Sequence, residues 1–248
     1  MQKSNKELKR FAREQLNGKY SIPMGAFVIA NLITSAIEIP FSMTLNLEGD
    51  PFQTGIYLVA RYLITLIASV LQIGVVSIHL NLTRKLPYRI SDIFYPFRRG
   101  ADRFFLAAFF LSLFNLAANI PLFCTATNVY VNGVTVSSCL LLAAGALCSL
   151  LLTVCISLFF QFTSYFLLDY PQMKTIAAFK ESARLMRGKK GRFFYLLLSF
   201  IGWECLVFCS IGLASLWVNP YLTESYVAFY LDATGEMDRM EAGTSEHF

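Results

Sequence analysis

The chain has 248 residues, of which 56% are hydrophobic and only 15% charged, with a formal net charge of +5 and a mean hydropathy of +0.53. A soluble domain carries about 25% charged residues and about 45–50% apolar ones with glycine included, so the composition excludes a secreted disulfide scaffold, a disordered chain and a typical cytosolic enzyme. At about 20 apolar residues per bilayer crossing, the supply suits five or six spans. The expected fold class is therefore all-α, a polytopic helical membrane bundle, with six spans preferred over five.

In chain order, residues 1–21 form a basic leader with Leu8, Phe11, Ala12 and Leu16 at helical spacing. An amphipathic helix is expected there. The first span is placed at 22–43. Its apolar run exceeds the 7–15 residues of a signal-peptide core, contains Glu38 and lacks a cleavage pattern, so it reads as uncleaved. The second span is placed at 56–82, the third at 104–123 and the fourth at 138–168. The fourth would be about 46 Å long at 1.5 Å per residue, longer than the hydrocarbon core, so it must tilt or project. The last apolar region divides at Ile211-Gly212 into spans at 193–211 and 213–231, the second interrupted by Asn219-Pro220. The alternative is one span followed by an interfacial helix. Residues 1–235 make a single membrane domain, and 232–248 an acidic tail expected to be disordered.

The 21 basic residues are clustered. Six lie in 1–21, six in 84–103 and seven in 174–192, while the intervening segments 42–55 and 124–136 contain none. Alternation of this kind follows the positive-inside rule and puts the N-terminus and the basic connectors in the cytoplasm, with the chain multi-pass in the plasma membrane. The leader, and a second stripe at Ile176, Phe179, Ala183 and Met186, could lie on the anionic cytoplasmic leaflet or pack within the bundle. Short basic connectors between spans do not make a nucleic-acid face.

The segment Ala178-Phe179-Lys180-Glu181-Ser182 through Leu185-Met186-Arg187-Gly188 carries a further signal. It continues at Phe200-Ile201-Gly202-Trp203, Leu216-Trp217, Pro220-Tyr221 and Ala228-Phe229-Tyr230. Together with Leu8-Lys9, Ala12, Leu16 and Gly18-Lys19-Tyr20, it resembles a family of uncharacterised bacterial integral membrane proteins, domain of unknown function 975. The resemblance spans about residues 5–235, is most specific in the C-terminal third and implies a polytopic protein of the bacterial plasma membrane. It implies no biochemical activity. Glu204 departs from the apolar residue expected after Trp203.

Ionisable groups inside spans are expensive and call for a functional reading. Glu38 and Arg61 both fall toward the outer leaflet, where an ion pair between spans, a substrate contact and unpaired snorkelling are all open. Glu204 falls near mid-depth, as helix glue or a proton or cation site, with Gln72, Asn115 and Asn119 as candidate partners. His79 and His247 are too few and too separated for a zinc site or a catalytic triad. No cofactor or metal is expected, and His79 reads as interfacial or packed. Of the six cysteines, Cys124 and Cys139 flank the basic-free segment and could form a disulfide, while the other four read as packing residues. Gly145 and Ser149 form a small-xxx-small pair suited to close helix approach.

A non-catalytic membrane protein, serving envelope maintenance or a partner complex, is the leading functional class. A transporter using the intramembrane charges is the alternative, and a lipid-acting intramembrane enzyme comes last. Membrane lipids, a membrane-protein partner or a second copy are the expected partners.

Overall fold

The computed structural model describes residues 3–44 and 51–245. Residues 45–50 of the first basic-free segment, and the end of the tail with His247, lie outside the described residues. Helix α1 (Asn5–Leu16) starts at a capping box, in which the Glu7 carboxylate accepts the Ser4 N–H at 2.7 Å and the Ser4 hydroxyl accepts the Glu7 N–H. Helices α2 (Ser21–Thr44) and α3 (Pro51–Thr83) follow. The left-handed Lys85 (φ 56) closes α3, with the Leu86 N–H donating to the Asn81 carbonyl at 2.9 Å. A 3-10 turn (Ile90–Phe94) and helix α4 (Tyr95–Arg98) fold back on α3. Gly74 is required there, because a Cβ would sit 2.0 Å from the Ile93 carbonyl oxygen.

Next come α5 (Ala101–Ala118), α6 (Ile120–Asn132), α7 (Val136–Phe160), α8 (Thr163–Asp169) and α9 (Thr175–Leu185). The chain continues as α10 (Lys190–Leu198), α11 (Ile201–Cys209), α12 (Ser215–Ala233) and α13 (Glu236–Ser245). Among the described residues, five segments are long and apolar enough to cross a membrane: 21–40, 52–83, 101–118, 136–169 and 190–209. The all-α membrane-bundle expectation holds, and the described residues contain no strand.

The segment expected as a sixth span, 213–231, is not among those five. It does form a helix, entered through the expected turn at Ile211-Gly212 (φ 52 and 86) and continuous through Pro220. Its polar residues explain the difference. Glu224 and Ser225 are fully buried and Asp232 nearly so, and the run Val227–Leu231 is enclosed as well. Helix α12 is therefore a core helix packed against α1, α2 and α3 rather than a lipid-facing one.

The leader is bundle-packed. Its apolar residues Leu8, Ala12 and Leu16 are fully buried, and α1 lies along α12 instead of resting its apolar face on lipid. In α9 the stripe Ile176, Phe179, Ala183 and Met186 is only partly right. Ile176 is exposed, and the buried face is Thr175, Ala178, Ser182 and Met186. Ser182 explains the shift, because its hydroxyl accepts the Phe162 N–H at 3.2 Å and donates to the Phe159 carbonyl at 2.9 Å. Those groups belong to the break between α7 and α8, so the fourth span answers its excess length by breaking.

The basic-free segment 124–136 is largely helix α6, which turns off α5 at Asn119 and pairs with α7. The pairing uses Gly145 and Ser149 as expected. A Cβ on Gly145 would lie 2.2 Å from Thr125 Oγ1, and the Ser149 hydroxyl accepts the Leu122 N–H at 3.1 Å. Cys124 and Cys139 stand on α6 and α7 and are both free thiols, so the disulfide is not formed.

The three basic clusters gather at one end of the bundle. Asn5 Nδ2 donates to the Arg192 carbonyl at 3.0 Å and the Thr175 hydroxyl to the Arg103 carbonyl at 3.2 Å, while Arg84 grips Asp169.

Candidate functional site

Helix α3 carries polar side chains at positions 61, 65, 69, 72, 79 and 83. At about 100° per residue these fall within a wedge of about 80°. Arg61, Thr65, Ser69, Gln72, His79 and Thr83 thus share one face of the helix, while Ser77 and Asn81 lie off it. Helix α5 presents Ser112, Asn115 and Asn119, also on one face.

The outer half of the α3 face meets the α5 face in a largely apolar crevice of about 540 Å³, in which Arg61, Thr65 and Ser69 on one side and Ser112, Asn115 and Asn119 on the other are interspersed with Leu58, Leu111 and Leu116. The Tyr62 hydroxyl bridges the helices at 2.9 Å from Ser112 Oγ. Most lining donors are satisfied by their own helix. Thr65 and Ser69 donate to the Arg61 and Thr65 carbonyls at 2.9 and 2.8 Å, and the Asn115 amide to the Leu111 carbonyl at 2.8 Å. Back-bonding of this kind lets polar side chains line an apolar region without leaving donors bare. A second cavity of about 260 Å³ shares Leu111 and Asn115 with the first and extends inward to Gln72, Gln161 and Tyr165.

The inner half of the α3 face is closed by α12. His79 Nδ1 lies 2.7 Å from Glu224 Oε2 with both side chains fully buried. The Thr83 hydroxyl donates to Glu224 Oε1 and also lies 3.1 Å from the His79 carbonyl. With a carboxylate as partner, the Nδ1–H is the donor, which fixes the tautomer and leaves Nε2 buried without a hydrogen-bond partner among the described residues.

One turn further, Arg84 sits between two carboxylates. Nη1 and Nη2 reach Asp169 at 2.7 and 2.9 Å, while Nε and Nη2 reach Glu236 at 2.7 and 2.8 Å. The Tyr230 hydroxyl donates to Asp169 at 2.7 Å. Burial, followed by the Asp169 charge, pushes the Tyr230 phenol up and keeps it a donor. Asp232 accepts from Arg192 and from the Lys3 backbone N–H. Helix α12 is therefore tied to α1, α3, α8 and α10 through its polar groups.

The sequence candidates are not brought together. Glu38 is half-buried on α2, and no ion pair joins it to Arg61 among the described residues. The exposed Arg61 instead donates to the Tyr57 hydroxyl at 3.0 Å. Tyr57 stands one turn before Arg61 on the same helix, and an arginine near a span end reaches such a neighbouring phenol more cheaply than it crosses to another helix. Glu204 is exposed on the outer surface of α11. Asn115 and Asn119 line the Arg61 crevice, and Gln72 joins Asn115 in the adjoining cavity, with Glu204 in neither. Glu224 escaped the sequence reading, and the one-face spacing of the α3 polar residues was the signal that pointed toward its partner His79.

Fold and site together define a helical membrane protein with a polar seam running along one span. The chain belongs to the family described as Protein of unknown function (DUF975), whose model matches residues 1–236. No curated protein and no solved structure matches it.

Proposed function

We propose that this is a non-catalytic integral membrane protein that handles a polar or polar-headed molecule within the bilayer, a transport-class role. The observation that supports it is the α3 polar face, open as a crevice from Arg61 to Ser69 and continued inward to the buried His79–Glu224 pair. Interhelical glue bonds from one helix to another, whereas Arg61, Thr65 and Ser69 bond only within α3 and line the crevice. We place the protein in the bacterial plasma membrane with its N-terminus and clustered basic connectors in the cytoplasm, where the outward basic face of α1 adds attraction for anionic lipid.

The test is hydration of the crevice. In a cysteine-free background, Ser69→Cys and Asn115→Cys in intact membranes should react with a charged thiol reagent, since reaction requires a thiolate in water. The exposed, lipid-facing Leu63→Cys should not. Equal inertness at all three positions would overturn the reading.

A partner-complex role is favoured by a different observation. Glu204 presents a carboxylate on the outer face of a candidate span with no hydrogen bond or ion pair to its side chain among the described residues. A neighbouring helix with a matching donor would cover it, and loss of a stoichiometric cross-linked partner in Glu204→Leu is the expected sign.

A further inference from the structure

We propose that the α3–α5 crevice binds the phosphate head of an anionic membrane phospholipid, with Arg61 as the anion receptor. The assignment rests on the solute-handling reading above and narrows its substrate to one class. Arg61 makes one side-chain hydrogen bond, to the Tyr57 hydroxyl, and no carboxylate pairs with it among the described residues. Its remaining guanidinium N–H groups stand at the crevice mouth. A guanidinium fork matches the geometry of a phosphate and binds it through two parallel hydrogen bonds.

Depth selects the kind of anion. Arg61 lies 22 residues from Thr83 at the basic end of α3, about 33 Å along the helix, and Asn119 lies 18 residues from Ala101 on α5, about 27 Å. Arg61 thus reaches the headgroup level on the face opposite the basic connectors, given a hydrocarbon core of about 30 Å, and Asn119 stops just short of it. Snorkelling alone accounts for an arginine at that level. It does not account for Thr65, Ser69 and Asn115, which carry the polar lining deeper into the hydrocarbon.

Access selects a lipid over a soluble ester. The crevice walls come from α3 and α5 alone among the described residues, so it opens on the side of the bundle. Its rim residues Leu58 and Leu116 are about 60% exposed, offering apolar surface to acyl chains beside a polar slot. A lipid could enter head-first from the leaflet while its chains stay in hydrocarbon. A cavity of about 540 Å³ is of small-molecule size. Because the lining hydroxyls and amides are already paired to their own helices, the slot tolerates being vacated.

The experiment uses full-length protein in nanodiscs made with equal phosphatidylglycerol and phosphatidylcholine, each carrying a photoactivatable group near the headgroup, and maps adducts to peptides by mass spectrometry. Wild type should give roughly tenfold more phosphatidylglycerol than phosphatidylcholine adduct on α3 and α5 peptides, because both lipids carry the phosphodiester but only phosphatidylcholine brings a choline cation that competes with Arg61 for it. Arg61→Gln should bring that ratio near one, and Arg61→Lys should restore part of it. Adducts on α1 peptides, which report the basic leader, should not change. Equal labelling of the crevice by both lipids in wild type would overturn the anionic assignment while leaving solute handling intact. Absence of any crevice adduct would overturn the lipid assignment, and crevice hydration at Ser69→Cys then decides the broader reading independently. Loss of the phosphatidylglycerol adduct on adding millimolar inorganic phosphate, but not chloride, would overturn the lipid source in favour of a free phosphate anion.

Discussion

His79 Nδ1 and Glu224 Oε2 lie 2.7 Å apart in full burial, joining two helices whose contacting residues are 145 positions apart in sequence. Such a pair is costly to bury and costlier to break. Removing one partner leaves the other's buried polar group unsatisfied and typically destabilises by about 1–3 kcal/mol, whereas replacing both with apolar residues of similar shape is often close to neutral. Glu224→Ala should therefore lower the thermal midpoint in detergent, followed by circular dichroism, far more than the double variant His79→Leu/Glu224→Met. If the double variant melts at or below the single one, the pair is not the local determinant of stability.

A single β-carbon should disturb the α6–α7 hairpin. Gly145→Ala would place Cβ 2.2 Å from Thr125 Oγ1 and 2.9 Å from the Pro121 carbonyl oxygen. Over-packing of that degree costs about 1–3 kcal/mol. Adding Thr125→Ala removes the nearer clash and leaves the backbone one, so partial recovery of the melting temperature is expected. Full recovery would show that α6 can shift away from Pro121 freely.

What the sequence disclosed follows from which signals are local. The five long apolar segments, the amphipathic leader, the Ile211-Gly212 turn and the Gly145/Ser149 approach all depend on nearby residues, and all were legible. Helix α12 was misplaced for a physical reason. A helix largely enclosed by its neighbours has no apolar stripe to mark its orientation, so its apolar residues imitate a span and Glu224 passes unnoticed among them. The Glu38–Arg61 pairing failed because equal depth says nothing about which faces meet. Conversely, the seam from Arg61 to Thr83 was present as a spacing pattern along one helix, and only its partners on α5 and α12 required three dimensions.

Ser182 offers a test of how the long fourth span is broken. Its hydroxyl serves both the Phe162 N–H and the Phe159 carbonyl, groups freed where α7 gives way to α8. Ser182→Ala leaves a buried donor without its partner, at a cost of about 1–3 kcal/mol. Faster hydrogen exchange at residues 159–163 than in wild type is expected, with exchange in α3 unchanged. Uniform acceleration across the bundle would instead indicate global destabilisation with no special role at the break.

The turn into α12 contains a residue poorly suited to its backbone. Ile211 has φ 52 and is 94% exposed, and the Gly212 N–H reaches back to the Val207 carbonyl at 2.8 Å in a helix-ending turn. A left-handed conformation costs an ordinary residue about 1–2 kcal/mol, and branching at Cβ makes it a less common choice still. Glycine adopts that conformation without the Cβ clash, but also gains freedom in the unfolded chain, which offsets part of the benefit. Because the side chain is exposed, little packing within the protein is lost. Ile211→Gly should consequently raise the melting temperature, and Ile211→Asn should give a smaller rise; Ile211→Val, which keeps the branch, should give none. A fall in stability for both glycine and asparagine would mean that the isoleucine side chain contributes more through contact with lipid than its backbone conformation costs.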